Sequence, residues 1–458
     1  ADMLNLSNKK VLVVGAGISG FSAAKIAKKL GAAVTLSDAK AEKDIQEDFA
    51  PLREAGIALV FGPQAASLLT GVDIVILSPA VPARIPLIKA AREAGIRVMS
   101  EVELAYLIAK APMAAVTGTN GKTTTTTLLG LLLKAHYDAV GVGGNIGVPL
   151  SEVALAMPST GYIAAEISSY QMEATEEFHP HIAAELNVTP DHIVRHGSME
   201  VYQAMKERLF RAEQAGDFLI LNYDDERTRD MKHRAKACIA FFSRRENLSE
   251  GACLADGMLV IRWGGKSYPL ISEKELGIKG PHNTENALAA SLMAFFAGVA
   301  PAEMQPVLKD FRGVEHRIEY VTTIDGVDYY NDSKATNTDS AMKALDTFPA
   351  GIVLLAGGDD KMTDLTDFMQ LAKVRVHQLI LVGAAAKRFH EAARENGMPE
   401  EHIHDVGYSM ERAVALAHEL AKAPETVLLS PACASFDMYN GMAERGRHFK
   451  SLVHALEA

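Results

Sequence analysis

The chain has 458 residues, of which 48% are hydrophobic and 22% charged, and its formal net charge is −11. That length exceeds what one hydrophobic core usually serves and predicts about three domains. The acidic balance argues against a nucleic-acid-binding surface, which requires a basic footprint, and no apolar run is long enough to cross a bilayer. The N-terminal sequence lacks the pattern of a signal peptide and the three cysteines form no C-x-x-C pair, so we expect a cytoplasmic protein.

Strand-like and helical segments alternate through the first 100 residues. Strands are predicted in KKVLVVG, AAVTLSD, IALVFG and VDIVILSP, and helices in SAAKIAKKLG and IPLIKAAREAG. This alternation indicates a parallel sheet covered on both faces. The first strand runs into Gly15, Gly17 and Gly20, spaced G-x-G-x-x-G, and Asp38 ends the next strand. The pattern is typical of NAD or FAD binding, but it suits any diphosphate attached to a ribose.

A second phosphate loop follows the strand MAAVTGT and opens the helix KTTTTTLLGLLLKAH. Lys122 is expected to reach the β- and γ-phosphates of a nucleotide, and the Thr123 hydroxyl is expected to hold Mg²⁺. The loop departs from the usual G-x-x-x-x-G-K-T pattern because Val116 stands where its first glycine belongs. The predicted ligand is ATP or a relative. An ATP-driven ligase explains both glycine loops, whereas a hydride-transfer enzyme has no need of the second.

Polar residues follow the later strands YIAAEIS and IAAELNV. Glu166 ends the first of these, where a carboxylate can hold Mg²⁺ opposite the phosphate loop, and His192 comes just past the second. Lys206 lies on a helix among apolar residues; burial would favour its neutral, CO₂-reactive form, whereas an apolar stem with an exposed ammonium is the simpler interpretation. His179 and His181 in FHPH precede their strand, so we interpret them as surface residues rather than a zinc site.

The last third begins with HRIEYVTTIDGVDYYND, which predicts a hairpin turning at Asp325 and Gly326. GIVLLAGG, QLILVG and ETVLLSPA then alternate with helical stretches and indicate another doubly wound sheet. The predicted fold is therefore α/β with three domains. These are an N-terminal Rossmann-like domain over 1–100, a central P-loop ATPase-like domain with a mostly parallel sheet over 101–313, and a C-terminal Rossmann-like domain over 314–458.

Ten motifs occur in a fixed order from residue 117 to 437: TGTNGKTTT, GGNIG, EISSYQ, NVTPDH, AMKERLF, GPHNTENALAA, HRIE, NDSKATN, GGDDK and SPACASFD. Together with GAGISG they resemble the Mur ligases, the ATP-dependent ligases of peptidoglycan precursor synthesis. Asn120, NDSKATN and SPACASFD are most similar to the D-glutamate-adding member. The resemblance implies that UDP-N-acetylmuramoyl-L-alanine, D-glutamate and ATP are joined through an acyl phosphate, by a cytoplasmic monomer that serves cell wall synthesis, cell shape and division.

The resemblance also implies a role for individual residues of this sequence. The UDP substrate would be held by Gly17, Ile18, Ser19, Asp38, Ser78 and Asn145. ATP would be held by Gly118, Thr119, Asn120, Gly121, Lys122, Thr123, Thr124, Asn283, Asn286, Arg317 and Asp332. D-glutamate would be held by Lys334, Thr336, Lys361 and Ser435. Two Mg²⁺ ions would be held by Thr123, Glu166, His192 and an N-carboxylated Lys206, and the catalytic set would be Lys122, Glu166, His192 and Lys206.

Three positions depart from the pattern of related enzymes. Met442 stands where an aromatic residue usually lies near the D-glutamate side chain, Val194 replaces the aspartate of DHLD, and Ala39 replaces a hydroxyl residue of the uracil pocket. Cys433 has no identifiable base partner and is assigned to packing.

The alternative functions are a ligase of the same fold that adds another amino acid or extends a folate tail, a nicotinamide-dependent oxidoreductase, and a non-catalytic nucleotide-binding protein.

Overall fold

A computed structural model of the chain describes residues 4–145, 147–189, 196–348 and 350–458. They form two compact units, one made of residues up to 276 together with 280–310, and the other of 277–279 together with 311–458. Within the described ranges, no helix has both the length and the apolar character needed to cross a membrane.

The first unit begins with a five-stranded parallel sheet in the order β3-β2-β1-β4-β5. The order reverses between β1 and β4, and a ligand crevice lies at such a point in open α/β sheets. Residues 11–14 of β1 are fully buried, which explains the continuous run of valine and leucine there. The elements are β1 (Lys10–Val14), α1 (Ile18–Lys29), β2 (Ala33–Asp38), α2 (Ala50–Glu54), β3 (Ala58–Phe61), β4 (Ile74–Leu77), α3 (Pro86–Glu93) and β5 (Arg97–Ser100).

A nine-stranded sheet completes the first unit, in the order β14-β13-β12-β11-β10-β9-β6-β8-β7. It is parallel except for the antiparallel pairs β12–β13 and β13–β14. Its elements are α4 (Glu101–Ile108), β6 (Met113–Thr117), α5 (Lys122–Lys134), β7 (Val140–Gly144), α6 (Leu150–Ala156), β8 (Tyr162–Glu166), β9 (Ile182–Glu185), α7 (Met199–Glu207), β10 (Phe218–Asn222), α8 (Glu226–Asp230), β11 (Cys238–Ser243), β12 (Gly251–Ala255), β13 (Met258–Trp263), β14 (Lys266–Ser272), α9 (Pro281–Phe296) and α10 (Pro301–Asp310).

The register of the central strands decides which side chains meet at the phosphate loop. Strand β6 lies between β8 and β9. Val116 pairs with Glu166 on one side, and Thr117 pairs with Glu185 on the other. The loop that follows β6 therefore leaves the sheet between two strands that both end in a glutamate.

Buried hydrogen bonds join the first sheet to the second. Ser22 of α1 contacts Ser151 of α6 through their hydroxyls at 2.9 Å, and Ser151 donates to Glu101 Oε1 through both its amide, at 2.8 Å, and its hydroxyl, at 2.6 Å. Residues of both sheets also share one hydrophobic core. These contacts explain why two predicted domains form one compact unit.

The second unit contains a six-stranded sheet in the order β15-β16-β20-β17-β18-β19. Strands β15 and β16 form an antiparallel hairpin in which Asp325 and Gly326 have φ values of 52° and 79°. The predicted turn is confirmed, and the three sheets confirm the predicted α/β fold. The elements are β15 (Glu319–Ile324), β16 (Val327–Asn331), α11 (Thr338–Thr347), β17 (Ile352–Gly357), α12 (Thr366–Arg375), β18 (Val376–Val382), α13 (Ala386–Glu395), β19 (Ile403–Asp405), α14 (Met410–Leu420), β20 (Thr426–Leu429) and α15 (Met442–Ala455).

Candidate active site

The phosphate loop joins the carboxyl end of β6 to the first turn of α5. Gly121 has a φ of 86°, and a Cβ atom there would lie 2.4 Å from Asn286 Oδ1, so both the backbone and the packing require glycine. Lys122 Nζ donates to the carbonyl oxygen of Gly118 at 2.8 Å, which ties the lysine back across the loop. A helix N-terminus with a lysine in this position favours a bound phosphate group.

Asn187, just past β9, holds the loop in shape. Its Oδ1 accepts hydrogen bonds from the amides of Thr119 and Asn120, both at 2.8 Å, and its Nδ2 donates to the carbonyl of Asn120 at 3.0 Å. Thr119 Oγ1 also contacts the hydroxyl of Tyr202 at 3.0 Å. We did not predict this role for Asn187; its place in NVTPDH, directly after a strand, was the available signal.

A hydroxyl and a carboxylate meet beside the loop. Thr123 Oγ1 donates to Glu166 Oε1 at 3.0 Å, and both residues are buried. Oxygen donors of this kind fit a hard cation such as Mg²⁺, which takes its remaining ligands from phosphates and water. In the described ranges, no group of three or more His, Cys, Asp or Glu side chains is arranged to hold a metal. His192 lies outside the described residues.

Lys206 is buried on α7, only 1% exposed, with its Nζ 4.8 Å from the centre of the Tyr202 ring. Glu185 at the end of β9 interacts electrostatically with it. Burial raises the pKa of Glu185 well above its usual value, and the charge of Lys206 opposes that rise. Neither oxygen of Glu185 has a hydrogen-bond partner among the described residues. Glu185 is thus a buried acid of this site that our sequence analysis missed.

Two asparagines of α9 were predicted to face the nucleotide. Asn286 lies directly against Gly121 of the phosphate loop, and its Nδ2 donates to Asn283 Oδ1 at 3.3 Å. The second turn of α9 is therefore brought to the loop, although 165 positions separate Asn286 from Gly121 in the sequence. The contact of these two asparagines with adenine stays a prediction.

The N-terminal glycine loop has the tight geometry that its spacing predicts. Gly15 has a φ of 101°, and a Cβ atom at Gly20 would lie 1.7 Å from its carbonyl oxygen, so α1 approaches β1 very closely. Asp38 Oδ2 accepts a hydrogen bond from the amide of Ala16 at 2.9 Å. Asp38 therefore fixes the loop itself, in addition to any contact with a ribose.

Four further residues proposed for the UDP substrate lie around these loops. Ser78 packs against Gly15, Ile18 is 61% exposed at the start of α1, and the amide of Asn145 donates to the carbonyl of Glu166 at 2.7 Å. Ser19 is half-buried in the first turn of α1.

In the second unit, Asp332 is buried just past β16. Ser430 Oγ donates to its Oδ2 at 2.7 Å and the amide of Ile318 donates to its Oδ1 at 3.1 Å. Burial raises the pKa of Asp332 to about 7, although Arg317 and Arg445 oppose the rise. Arg317 and Asp332 therefore interact, as expected of residues that serve one ligand.

The residues proposed to bind the amino-acid substrate lie on loops at the carboxyl edge of the third sheet. Lys361 Nζ lies 3.5 Å from Thr336 Oγ1, and Lys334 is exposed. The Ser435 hydroxyl is buried and has no hydrogen-bond partner among the described residues. A buried hydroxyl without a partner is costly unless a ligand or water completes it.

The structure also shows the surroundings of the other residues that we singled out from the sequence. Burial raises the pKa of the Cys433 thiol to about 12, so it stays protonated and packs in the core. Met442 is half-buried, whereas Phe436 beside Ser435 is 69% exposed. His179 and His181 are half-buried and both contact Asp217, at 2.5 and 2.9 Å, on the opposite edge of the sheet from the phosphate loop.

Three family descriptions match successive parts of the chain. They are the Mur ligase MurD-like N-terminal domain over residues 9–100, the Mur ligase middle domain over 116–294, and the Mur ligase glutamate ligase domain over 316–433. Together they cover most of the sequence.

Two curated relatives are similar over nearly their whole length. The UDP-N-acetylmuramoylalanine–D-glutamate ligase of Thermoanaerobacter pseudethanolicus is 43% identical over 453 residues, covering 99% of this chain and 100% of the relative. The enzyme of the same name from Alkaliphilus metalliredigens is 41% identical, covering 99% of each chain.

Solved structures share the fold at lower identity. The UDP-N-acetylmuramate–alanine ligase of Thermotoga maritima is 20% identical, with a TM-score of 0.51 and coverage of 98% of this chain and 99% of that one. The UDP-N-acetylmuramoylalanyl-D-glutamyl-2,6-diaminopimelate–D-alanyl-D-alanyl ligase of Acinetobacter baumannii is 16% identical, with a TM-score of 0.52 and coverage of 91% and 90%.

Proposed function

The chain belongs to the Mur ligase family, and on that premise we propose that it joins D-glutamate to UDP-N-acetylmuramoyl-L-alanine at the expense of ATP. The observation that carries the proposal is the contact between Thr123 and Glu166 beside the glycine-lysine-threonine loop. A hydroxyl and a carboxylate at the start of a phosphate-binding helix are suited to a metal-bound triphosphate. The relatives named for this reaction are up to 43% identical over the whole chain.

The reaction needs ATP because a carboxylate resists attack by an amine. The alanyl carboxylate of the UDP substrate attacks the γ-phosphorus of ATP; its O–P bond forms as the bond to ADP breaks. The D-glutamate amine then attacks the acyl carbon, loses a proton, and the C–O bond breaks to release phosphate. Residues 118–124 and the N-terminus of α5 bind the phosphate groups, and Lys122 offsets the charge of the transferred phosphoryl group.

Thr123 and Glu166 would hold Mg²⁺ at this site, and we propose that His192 and Lys206 serve a second ion. When bound, Mg²⁺ withdraws charge from phosphoryl oxygens. We further propose that Lys206 is N-carboxylated: its ammonium loses one proton, and the resulting neutral amine takes up CO₂ and loses a second, so that a cation becomes an anionic oxygen ligand. The burial of Lys206 supports this proposal, since burial favours a neutral amine.

The remaining ligand roles are proposed residue by residue. The UDP part of the first substrate is assigned to Gly17, Ile18, Ser19, Asp38, Ser78 and Asn145. The nucleotide is assigned, besides the phosphate loop, to Asn283, Asn286, Arg317 and Asp332. D-glutamate is assigned to Lys334, Thr336, Lys361 and Ser435. The basic side chains in the last group suit a ligand with two carboxylates.

We propose domain limits of 1–100, 101–313 and 314–458 for UDP-substrate binding, ATP binding and amino-acid binding. A cytoplasmic location and a monomeric state stay predictions. The cytoplasm is where ATP and a nucleotide-linked sugar are available together.

Phosphate release tests the proposed function directly. Protein, Mg²⁺, ATP and UDP-N-acetylmuramoyl-L-alanine are combined with D-glutamate, L-glutamate, L-alanine or a diamino acid in separate reactions. We expect release with D-glutamate alone, with one amide bond formed per ATP. Activity with a different amino acid would move the chain to another member of the family, and no release in any reaction, with tight NADH binding instead, would overturn the assignment.

A further inference from the structure

Arg445 in the second turn of α15 is only 2% exposed, and its guanidinium donates to four oxygen atoms. Nε donates to Ser333 Oγ at 3.0 Å and Nη2 to the Ser333 carbonyl at 2.9 Å. Nη1 donates to the carbonyls of Cys433 and Ala434, at 3.0 and 3.1 Å. Burial lowers the pKa of Arg445 to about 10, so it remains a cation at neutral pH.

These acceptors belong to two different loops at the carboxyl edge of the third sheet. Ser333 lies on the loop after β16, and Cys433 and Ala434 lie on the loop after β20. Their oxygens are neutral, and across the described part of the chain no carboxylate lies within ion-pair distance of Arg445. A buried cation bonded only to loop carbonyls and a hydroxyl fixes backbone positions.

A third loop, after β17, is joined to the same point. The amide of Asp359 donates to the Ala434 carbonyl at 2.8 Å. A Cβ atom at Gly358 would lie 2.5 Å from that carbonyl oxygen and 3.2 Å from Arg445 Nη1. This loop therefore packs directly against the guanidinium, and a side chain at residue 358 would push it away.

We infer that Arg445 is a positioning residue that fixes the relative placement of the three loops through which the chain holds its amino-acid substrate. The inference rests on the proposed function, because these loops carry Lys334 and Thr336, Lys361, and Ser435. A ligand with two carboxylates must meet groups from all three loops at once. A displacement of about 1 Å in one loop would weaken binding even if every ligand residue were present.

The test compares Arg445→Lys with Arg447→Lys in the full-length protein. Arg447 lies on the same helix, but it is exposed and pairs with Glu315 at 3.2 Å, which makes it a matched control. A lysine at position 445 keeps the charge but cannot reach both loops with separate nitrogens. We expect the KM for D-glutamate to rise about tenfold, with kcat and the KM for the UDP substrate changing less than about threefold. Arg447→Lys should behave as wild type.

Hydrogen exchange gives a readout that does not depend on turnover. Added D-glutamate should protect the amides of 332–336, 358–361 and 430–435 in the wild type. In Arg445→Lys this protection should weaken at all three loops while exchange from β16, β17 and β20 is unchanged. A merely structural role would instead loosen the strands as well.

Two results would overturn the inference: a folded Arg445→Lys variant with an unchanged KM for D-glutamate, or equal increases in the KM values of all three substrates. If that variant does not fold, Ser333→Ala removes the acceptor of Nε, and the same selective rise, about twofold to threefold, is expected; no rise would reject the inference. Failure of the proposed function looks different, since the wild type itself would then not use D-glutamate, and the amino acid it does use would replace D-glutamate in the comparison.

Discussion

The hydroxyl of Thr123 donates to Oε1 of Glu166 over 3.0 Å, which joins the first turn of α5 to the last residue of β8. The two residues are 43 positions apart in the sequence, and both are buried. The pairing exists because β6 and β8 are parallel neighbours whose carboxyl ends share one edge. It concentrates oxygen ligands where a triphosphate would be bound.

The variant Glu166→Gln tests whether catalysis needs the negative charge of this side chain or only its hydrogen bond. Glutamine retains an oxygen that accepts from Thr123 but removes the negative charge that attracts Mg²⁺. We expect kcat to fall by about 10²–10³ and the Mg²⁺ concentration for half-maximal phosphate release to rise. Glu177→Gln is the control, because Glu177 forms an exposed ion pair with Arg97. An unchanged Mg²⁺ requirement in Glu166→Gln would remove Glu166 from the metal site.

Gly121→Ala should damage ATP binding. The new Cβ atom would meet Asn286 Oδ1 at 2.4 Å, at a backbone φ of 86° that alanine rarely adopts. We expect the KM for ATP to rise about tenfold or more, measured by phosphate release at saturating concentrations of the other substrates. A Cβ atom at Gly216 would meet open space, so Gly216→Ala should leave the KM for ATP unchanged. Equal KM values in both variants would show that the loop tolerates the displacement.

Asp38→Ala should affect the UDP substrate selectively. It removes the acceptor of the Ala16 amide and so releases the N-terminal glycine loop. The KM for UDP-N-acetylmuramoyl-L-alanine is expected to rise about tenfold while that for D-glutamate stays constant. Asp73→Ala is matched to it, since Asp73 Oδ2 accepts from the Lys10 amide at 2.8 Å at the other end of β1. A similar rise in Asp73→Ala would indicate a general loss of sheet order instead.

The stability of the chain should depend on pH through Asp332. Burial raises its pKa from 3.8 to about 7. Between about pH 4 and pH 7, the folded chain therefore keeps a proton on Asp332 that the unfolded chain has lost. Stability conferred by this proton is present below about pH 4 and is lost as the pH rises to about 7, with a slope of at most about 1.4 kcal/mol per pH unit. Asp332→Asn removes this dependence, because asparagine does not titrate.

Denaturant unfolding from pH 4.5 to 8.5 checks this expectation. Asp332→Asn should gain stability relative to the wild type up to about pH 7, and the difference should then stay constant. Asp367→Asn, an exposed position on α12, should run parallel to the wild type. A difference that does not vary with pH would mean that Asp332 is ionised throughout.

Local sequence patterns were sufficient for the order of the main strands and helices and for both glycine loops. Each of these depends on residues within about 20 positions, whose periodicity and glycines restrict the backbone directly. We did not predict β5, β7, β11 to β14 or β19, although β11 (CIAFFS) and β13 (MLVIRW) are rich in β-forming residues. Strand β7, VGVGG, contains three glycines, which favour no strand by themselves, and the antiparallel β12–β14 segment lies outside the alternation of strands and helices.

The sequence by itself determined the phosphate loops, the fold class and, through its ordered motifs, the family. Only the tertiary structure decided how Asn187 holds the phosphate loop in shape, how Glu185 comes to interact with Lys206, and how Arg445 contacts three loops. Each of these roles depends on partner atoms that strand order and helix packing bring from distant parts of the chain. Burial and hydrogen-bond geometry arise from that packing, and no spacing of neighbouring residues encodes them.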